Sequence, residues 1–146
     1  MKKILVLQGP NLNLLGKREP EIYGSLTLAD IHSQMEDTAA KSGIELSFYQ
    51  SNSEGELINL LHKAVDQFDG IIMNPGAFSH YSYAIFDAIL SVQIPLVEVH
   101  ISNIYQRESF RHHSVIAPAA VGQITGLGVF GYTAAVNFFA DYFYNH

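Results

Sequence analysis

An α/β sandwich built on a five-stranded parallel sheet is the architecture to expect from these 146 residues. Three features lead there. Short apolar runs recur along the chain, each halted by Gly, Pro or Asn. Stretches with helical spacing fill the gaps between them. The gaps are too long for hairpins, so consecutive strands must be joined by crossovers and run parallel. Apolar residues make up 48% of the chain and charged residues 15%, enough to fill one core and too apolar for disorder or a coiled coil. One domain over residues 1–146 is the expected organisation.

The elements follow in order. Ile4-Leu5-Val6-Leu7, ending at Gly9-Pro10, reads as a buried first strand. Ile44 to Tyr49 alternates apolar Ile44, Leu46 and Phe48 with Glu45, Ser47 and Tyr49. Gly70 to Met73 is the third strand, stopped by Asn74-Pro75-Gly76, and Leu96 to Val99 the fourth. Val115-Ile116 is the candidate for a short fifth. Leu28, Ile31 and Met35 share a helical face after Thr27 as N-cap, with Gly43 as the stop. Ser53 and Glu56 have capping-box spacing ahead of Leu57, Leu60, Leu61, Ala64 and Phe68. Ile85, Ala88, Ile89 and Val92 mark a third helix, and Thr133 to Tyr144 a fourth. Such units fit a flavodoxin-like three-layer sandwich of strand order 2-1-3-4-5.

Sheets of this kind bind ligands beyond the carboxyl ends of the strands, where the strand order reverses. That selects Gln8 to Leu15, Asn74 to His80 and His100 to Asn103. Residues 10–26 show no periodicity and are expected to form an active-site loop and lid carrying Lys17, Arg18, Glu19, Glu21 and Tyr23.

Composition removes several classes of function. Acidic residues number 14 against 8 basic, and there is no basic tract of the kind nucleic acid or an anionic membrane surface requires. Cysteine is absent, which excludes disulfides, thiolate catalysis and cysteine metal sites. The N-terminal apolar run is too short for a signal peptide, and no run approaches a membrane span, so a cytoplasmic protein is expected. No Gly-x-Gly-x-x-Gly, Walker A or Gly-x-Ser-x-Gly motif is present. A receiver domain would need acidic residues where Gln8-Gly9 and Asn74 stand, and Asn11 to Leu15 is too bulky for a flavin phosphate loop.

What remains is a set of histidines, amides and an Arg-Tyr pair. A tyrosine titrates near 10 in isolation, and a cation beside it favours the phenolate. Arg18 and Tyr23 share a loop that can bring both into one site. Such a phenolate can take a proton next to a carbonyl, while His100 protonates a departing hydroxyl. Glu98 lies two residues before His100, on the same face of an extended chain, and can orient the imidazole. Asn11 could hold a water or an amide N–H against an enolate oxygen. Arg107 and Arg111, four apart, would on a helical turn share a face and grip a carboxylate; the alternative is salt bridges to Glu108 or to a partner subunit. Adjacent His112 and His113 diverge in direction and are read as structural or merely near the site, not as a metal pair. His32 and His62 fall inside amphipathic helices and are not expected to be catalytic. The combination suits elimination of water without a cofactor.

Gly9-Pro10-Asn11-Leu12-Asn13-Leu14-Leu15-Gly16, Arg18-Glu19-Pro20 through Tyr23-Gly24, Asn52-Ser53-Glu54-Gly55 and Asn74-Pro75-Gly76-Ala77-Phe78-Ser79-His80 continue the pattern. So do Glu98-Val99-His100-Ile101-Ser102-Asn103, Phe110-Arg111-His112-His113-Ser114 and Ile124-Gly126-Gly128-Gly131-Tyr132. In these segments, and in their order over nearly the whole chain, the sequence resembles the type II 3-dehydroquinate dehydratases. The resemblance implies a flavodoxin-like fold and conversion of 3-dehydroquinate to 3-dehydroshikimate by anti elimination through an enolate. It implies Tyr23 as general base, Arg18 as its activator, Asn11 as holder of the enolate-stabilising water, and His100 as general acid oriented by Glu98. Asn74, His80 and Arg111 would hold substrate hydroxyls, and Ser102 with the Ile101 N–H the carboxylate. Asp87 would reach His80 of the partner subunit. No metal and no Schiff base are implied, and the assembly would be a homododecamer built from trimers. Phe86 and Tyr105 depart from the family pattern, at positions that bear on subunit packing.

Other readings keep the fold and change the role. One is a small-molecule binding module without turnover, for which an Arg-Tyr lid pair would be superfluous. Another is a lyase or isomerase acting on a related polyhydroxy carboxylic acid. A third is a structural assembly protein. Phe138, Phe139, Tyr142, Phe143 and Tyr144 are too many aromatics for one helix face, so some are expected to be covered by another subunit, the alternative being a helix that wraps deeply into its own core.

Overall fold

The computed structural model describes residues 1–17 and 19–145, with Tyr23 described by its backbone alone. Five parallel strands form one sheet in the order 2-1-3-4-5. They are β1 (Lys2–Gln8), β2 (Ile44–Gln50), β3 (Gly70–Asn74), β4 (Leu96–His100) and β5 (Gly122–Thr125). The helices are α1 (Pro20–Tyr23), α2 (Leu28–Ala40), α3 (Glu54–Lys63), α4 (Tyr83–Val92) and α5 (Phe130–Tyr144). The expected sandwich and strand order are therefore present.

Alternation along each strand divides the core in two. Ile4, Val6, Ile72, Val97 and Val99 face α2 and α5, where Ile31, Met35, Tyr132, Ala135 and Phe139 cover them. Leu5, Leu7, Ile71, Met73 and Leu96 face α3 and α4, under Leu57, Leu61, Ile85 and Ile89. The central strands are buried on both faces, which is why they read as continuous apolar runs.

Three expectations need correction. The fifth strand is Gly122–Thr125, not Val115-Ile116. Val115 and Ile116 are buried, but they pack in the α3/α4 core as connecting chain ahead of a short 3₁₀ turn. The complete capping box belongs to α2, where the Thr27 hydroxyl accepts from the Asp30 N–H and the Asp30 carboxylate from the Thr27 N–H. At α3 only half of it forms: Ser53 Oγ accepts from the Glu56 N–H, while the Ser53 N–H turns to Ser51 Oγ. Arg107 and Arg111 do not share a helix, because 3₁₀ turns at Ile104–Gln106 and Ser109–Arg111 break the chain between them. In addition, α5 begins a turn earlier than its periodicity suggested, and α3 stops before Phe68.

Two glycines set how closely the layers approach. A Cβ on Gly9 would lie 2.7 Å from the Pro75 carbonyl group, so only glycine lets the loop after β1 lie against the end of β3. A Cβ on Gly131 would press on Ile124 and Val99 at 3.3 and 3.4 Å, and its absence seats the first turn of α5 on β4 and β5. Of the α5 aromatics, Phe139 is wholly buried in the chain's own core, while Phe138 and Tyr142 remain 40% exposed. Phe139→Ala should cost about 3–5 kcal/mol of stability, measured by denaturant unfolding, since a fully buried ring is lost and its cavity cannot collapse against a sheet.

Candidate active site

The apolar phase of each strand runs out at its carboxyl end. Val6 is followed in phase by Gln8, Ile72 by Asn74, and Leu96 by Glu98 and His100, all four polar residues buried. A cleft opens above these ends. Its walls are Pro10, Asn11 and Leu12 after β1, Asn74, Gly76 and His80 after β3, and His100, Ile101 and Ser102 after β4, with Arg107 and Arg111 on one side. This is the switch point between β1 and β3, extended across β4.

Glu98 is completely buried and held by donors. His100 Nε2 donates to Glu98 Oε2 at 2.5 Å, Gln123 Nε2 to the same oxygen at 3.2 Å, and Ser114 Oγ to both oxygens at 2.9 and 3.0 Å. Gln123 comes from the neighbouring strand, in register with Glu98. Ser114 Oγ also accepts from the Ile116 and Ala117 N–H groups, so its own proton is directed at Glu98. With Nε2 of His100 engaged, Nδ1 is the nitrogen left for chemistry among the described residues.

His80 stands across the cleft, its ring centroid 6.3 Å from that of His100 and the planes 18° apart. Its Nδ1 donates to the His113 carbonyl at 2.9 Å. Burial pushes the His80 pKa below the ordinary histidine value; the His113 carbonyl opposes this, and His100 and Arg111 add to the lowering. Neutral His80 thus offers Nε2 as an acceptor. Arg111 has its Nε committed to Glu108 Oε2 at 2.5 Å and its guanidinium over the Phe110 ring. Ile101 and Ser102 have their carbonyls held by the Gly128 N–H and Thr125 Oγ1.

Asn11 sits in the left-handed region at φ 70°, a conformation asparagine tolerates. Its N–H donates to Asn52 Oδ1 at 2.9 Å, and Gln50 Nε2 ties Asn52 to the Gly9 carbonyl. Asn74 is 4% exposed. Its Oδ1 accepts from the Gly76 N–H, and its Nδ2 donates to the Tyr132 hydroxyl at 2.8 Å.

The structure therefore gathers Asn11, Asn74, His80, His100, Ile101, Ser102 and Arg111 around one cleft, with Glu98 behind His100. Asp87 is not on the cleft; it lies on the exposed face of α4. Arg18 and the Tyr23 side chain fall outside the described residues. His112 donates through Nε2 to the Arg107 carbonyl. Among the described residues no three His, Asp or Glu side chains are grouped to hold a metal ion.

Sequence reasoning assigned no role to Ser114, Gln123, Gln8 or Tyr132. Gln8 carried a usable signal, a polar residue in phase with Ile4 and Val6. Tyr132 carried none, because its hydroxyl meets a partner 124 residues away.

Fold and cleft together define a small-molecule enzyme of the doubly wound α/β class, with acid–base groups at the strand ends. Comparison with known proteins specifies it further. Residues 2–140 match the model of the class II dehydroquinase family. A 3-dehydroquinate dehydratase of Bacillus licheniformis is 58% identical over 141 residues, covering 97% of each chain. One from Bacillus pumilus is 56% identical over 138 residues, 94% of each chain. The crystal structure of the type II dehydroquinase from Propionibacterium acnes superposes with a TM-score of 0.92 at 44% identity, over 96% of this chain and 97% of that one. The chain belongs to the class II dehydroquinases.

Burial also pushes the His32 pKa down. Histidine resonances followed by NMR should show His32 and His80 titrating below the ordinary value of about 6.5. The unfolded chain then binds more protons than the native one as pH falls below that value. The part of stability owed to these two groups should be intact above about pH 6.5 and decline with acidification.

Proposed function

We infer that this class II dehydroquinase expels water from 3-dehydroquinate through an enolate, with Tyr23 as base and His100 as acid. The observation that carries the reading is the buried Glu98–His100 pair opening onto a cleft that also holds His80, Asn74 and Asn11. Residues 1–146 act as one catalytic domain, with residues 10–26 as active-site loop and lid.

The chemistry needs a weak acid activated and a poor leaving group protonated. The Tyr23 phenolate, favoured by the Arg18 cation, removes a proton from the carbon beside the substrate ketone. The electron pair moves into the carbonyl, and a water held by Asn11 steadies the enolate oxygen. The enolate then collapses, the carbon–oxygen bond to the C1 hydroxyl breaks on the opposite face, and His100 supplies the proton that makes the leaving group water. Glu98 fixes the imidazole tautomer and faces its charge when the ring is protonated. Asn74, His80 and Arg111 hold substrate hydroxyls, and Ser102 with the Ile101 N–H takes the carboxylate. The exposed position of Asp87 suits a group that reaches His80 of the partner subunit. The same reading carries a homododecamer built from trimers, a cytoplasmic location, and no metal or other cofactor.

The direct test is absorbance of purified protein with 3-dehydroquinate, following the conjugated enone of 3-dehydroshikimate. Enone formation should survive both EDTA and borohydride. Loss with EDTA would point to a metal, and loss with borohydride to an imine. Tyr23→Phe should lower kcat by at least about 100-fold with KM nearly unchanged, since one ionisable hydroxyl is removed and little else. His100→Ala should lower kcat by a similar factor; unchanged steady-state rates in either variant would remove that residue from its role.

A further inference from the structure

Gln8 and Asn74 are register partners at the carboxyl ends of β1 and β3, so their side chains leave the sheet on the same face. Between them lies the hydroxyl of Tyr132, brought in from α5 and completely buried. Asn74 Nδ2 donates to the Tyr132 oxygen at 2.8 Å, and the Tyr132 hydroxyl donates to Gln8 Oε1 at 2.8 Å. Gln8 Nε2 lies 3.4 Å from His32 Nε2, and the His32 ring stacks on Phe48.

The direction of this chain follows from its ends. A backbone N–H can only donate, so the Gly76 N–H requires Asn74 to present its oxygen there. Asn74 must then turn its NH₂ group to Tyr132. A phenol that accepts from Asn74 spends its single proton on Gln8, whose NH₂ is left for an unprotonated His32 nitrogen. Reversing Asn74 would set its NH₂ against the Gly76 N–H, and reversing Gln8 would take from the buried phenol proton the oxygen that accepts it. Asn74 therefore keeps one N–H uncommitted, and the residue lines the cleft.

We infer that Tyr132 and Gln8 are a positioning pair that makes Asn74 a hydrogen-bond donor to the ligand, selecting an oxygen acceptor at that point of the cleft. The inference rests on the reading of Asn74 as a substrate-holding residue. The alternative role for such a network is stability alone, as for any buried polar group that finds partners.

Kinetics separate the two. The full-length variants Tyr132→Phe, Asn74→Ala and the double variant would be assayed with 3-dehydroquinate for KM and kcat, alongside thermal unfolding. Tyr132→Phe should raise KM about tenfold, the loss of one hydrogen bond, with kcat within about threefold. Asn74→Ala should raise KM as well, and the double variant should match Asn74→Ala alone, because Tyr132 acts through Asn74. Gln8→Leu serves where Tyr132→Phe folds poorly. It leaves the phenol proton no acceptor but Asn74 and should raise KM likewise. A lower melting temperature with unchanged KM in Tyr132→Phe or Gln8→Leu overturns the inference, as do multiplicative effects in the double variant. An unchanged KM in Asn74→Ala overturns the inference too, through the reading beneath it, and is recognisable as that failure because it appears in the single Asn74 variant.

Discussion

The parallel register of β1 with β3 and of β3 with β4 is the constraint on which the cleft depends. It sets Gln8 beside Asn74 and Met73 beside Glu98, so the strand ends stop at one level. The Gly9 N–H then donates to the Asn74 carbonyl at 2.7 Å, continuing the pairing one residue past the strand. A slip of one residue would turn every apolar side chain of a strand to the other face. With both faces buried, the cost would fall on the whole core. The packing of α2 and α5 on one side and α3 and α4 on the other thus fixes where the polar groups stand.

Those polar groups come from both faces of the sheet. Gln8 and Asn74 extend the series that packs under α5, while Glu98 and His100 extend the series that packs under α4. Each series carries its own supporting network. Under α4, Ser114 and Gln123 satisfy a carboxylate that could not otherwise be taken from water. Under α5, Tyr132 joins two amides. A ligand above the strand ends meets groups held from beneath by two separate cores, and neither network has to move for the other to keep its geometry.

Much of this was legible in the sequence for a simple reason: buried parallel strands and amphipathic helices write periods of 2 and 3.6 into the chain. The first four strands, the helix faces and the loops that line the cleft follow from those periods. The fifth strand does not. Gly122-Gln123-Ile124-Thr125 lies at the sheet edge, is partly exposed, and lacks an apolar run. Val115-Ile116 is apolar because a loop is buried there. The two arginines show a different limit, in that spacing states which residues could meet on a helix but not whether a helix forms. Ser114, Gln123 and Tyr132 show a third. Their roles consist of contacts with residues far away in sequence, such as Asn74 and Tyr132 at a separation of 58 positions, and no local pattern encodes them.

Three histidines illustrate what such contacts decide. Each has one ring nitrogen tethered, and the tether differs. Nε2 of His100 faces the Glu98 carboxylate, Nδ1 of His80 faces a backbone carbonyl, and Nε2 of His32 faces the Gln8 amide. A carboxylate beside an imidazole balances the charge of a ring that takes up and gives away a proton. A carbonyl fixes the tautomer and leaves the opposite nitrogen as an acceptor. An amide that must donate keeps the ring nitrogen it meets unprotonated. Composition records these as three of seven histidines. Only the partner separates a ring paired with a carboxylate from one held by a carbonyl and from one facing an amide, so in this cleft the histidines are told apart by the residues behind the first row.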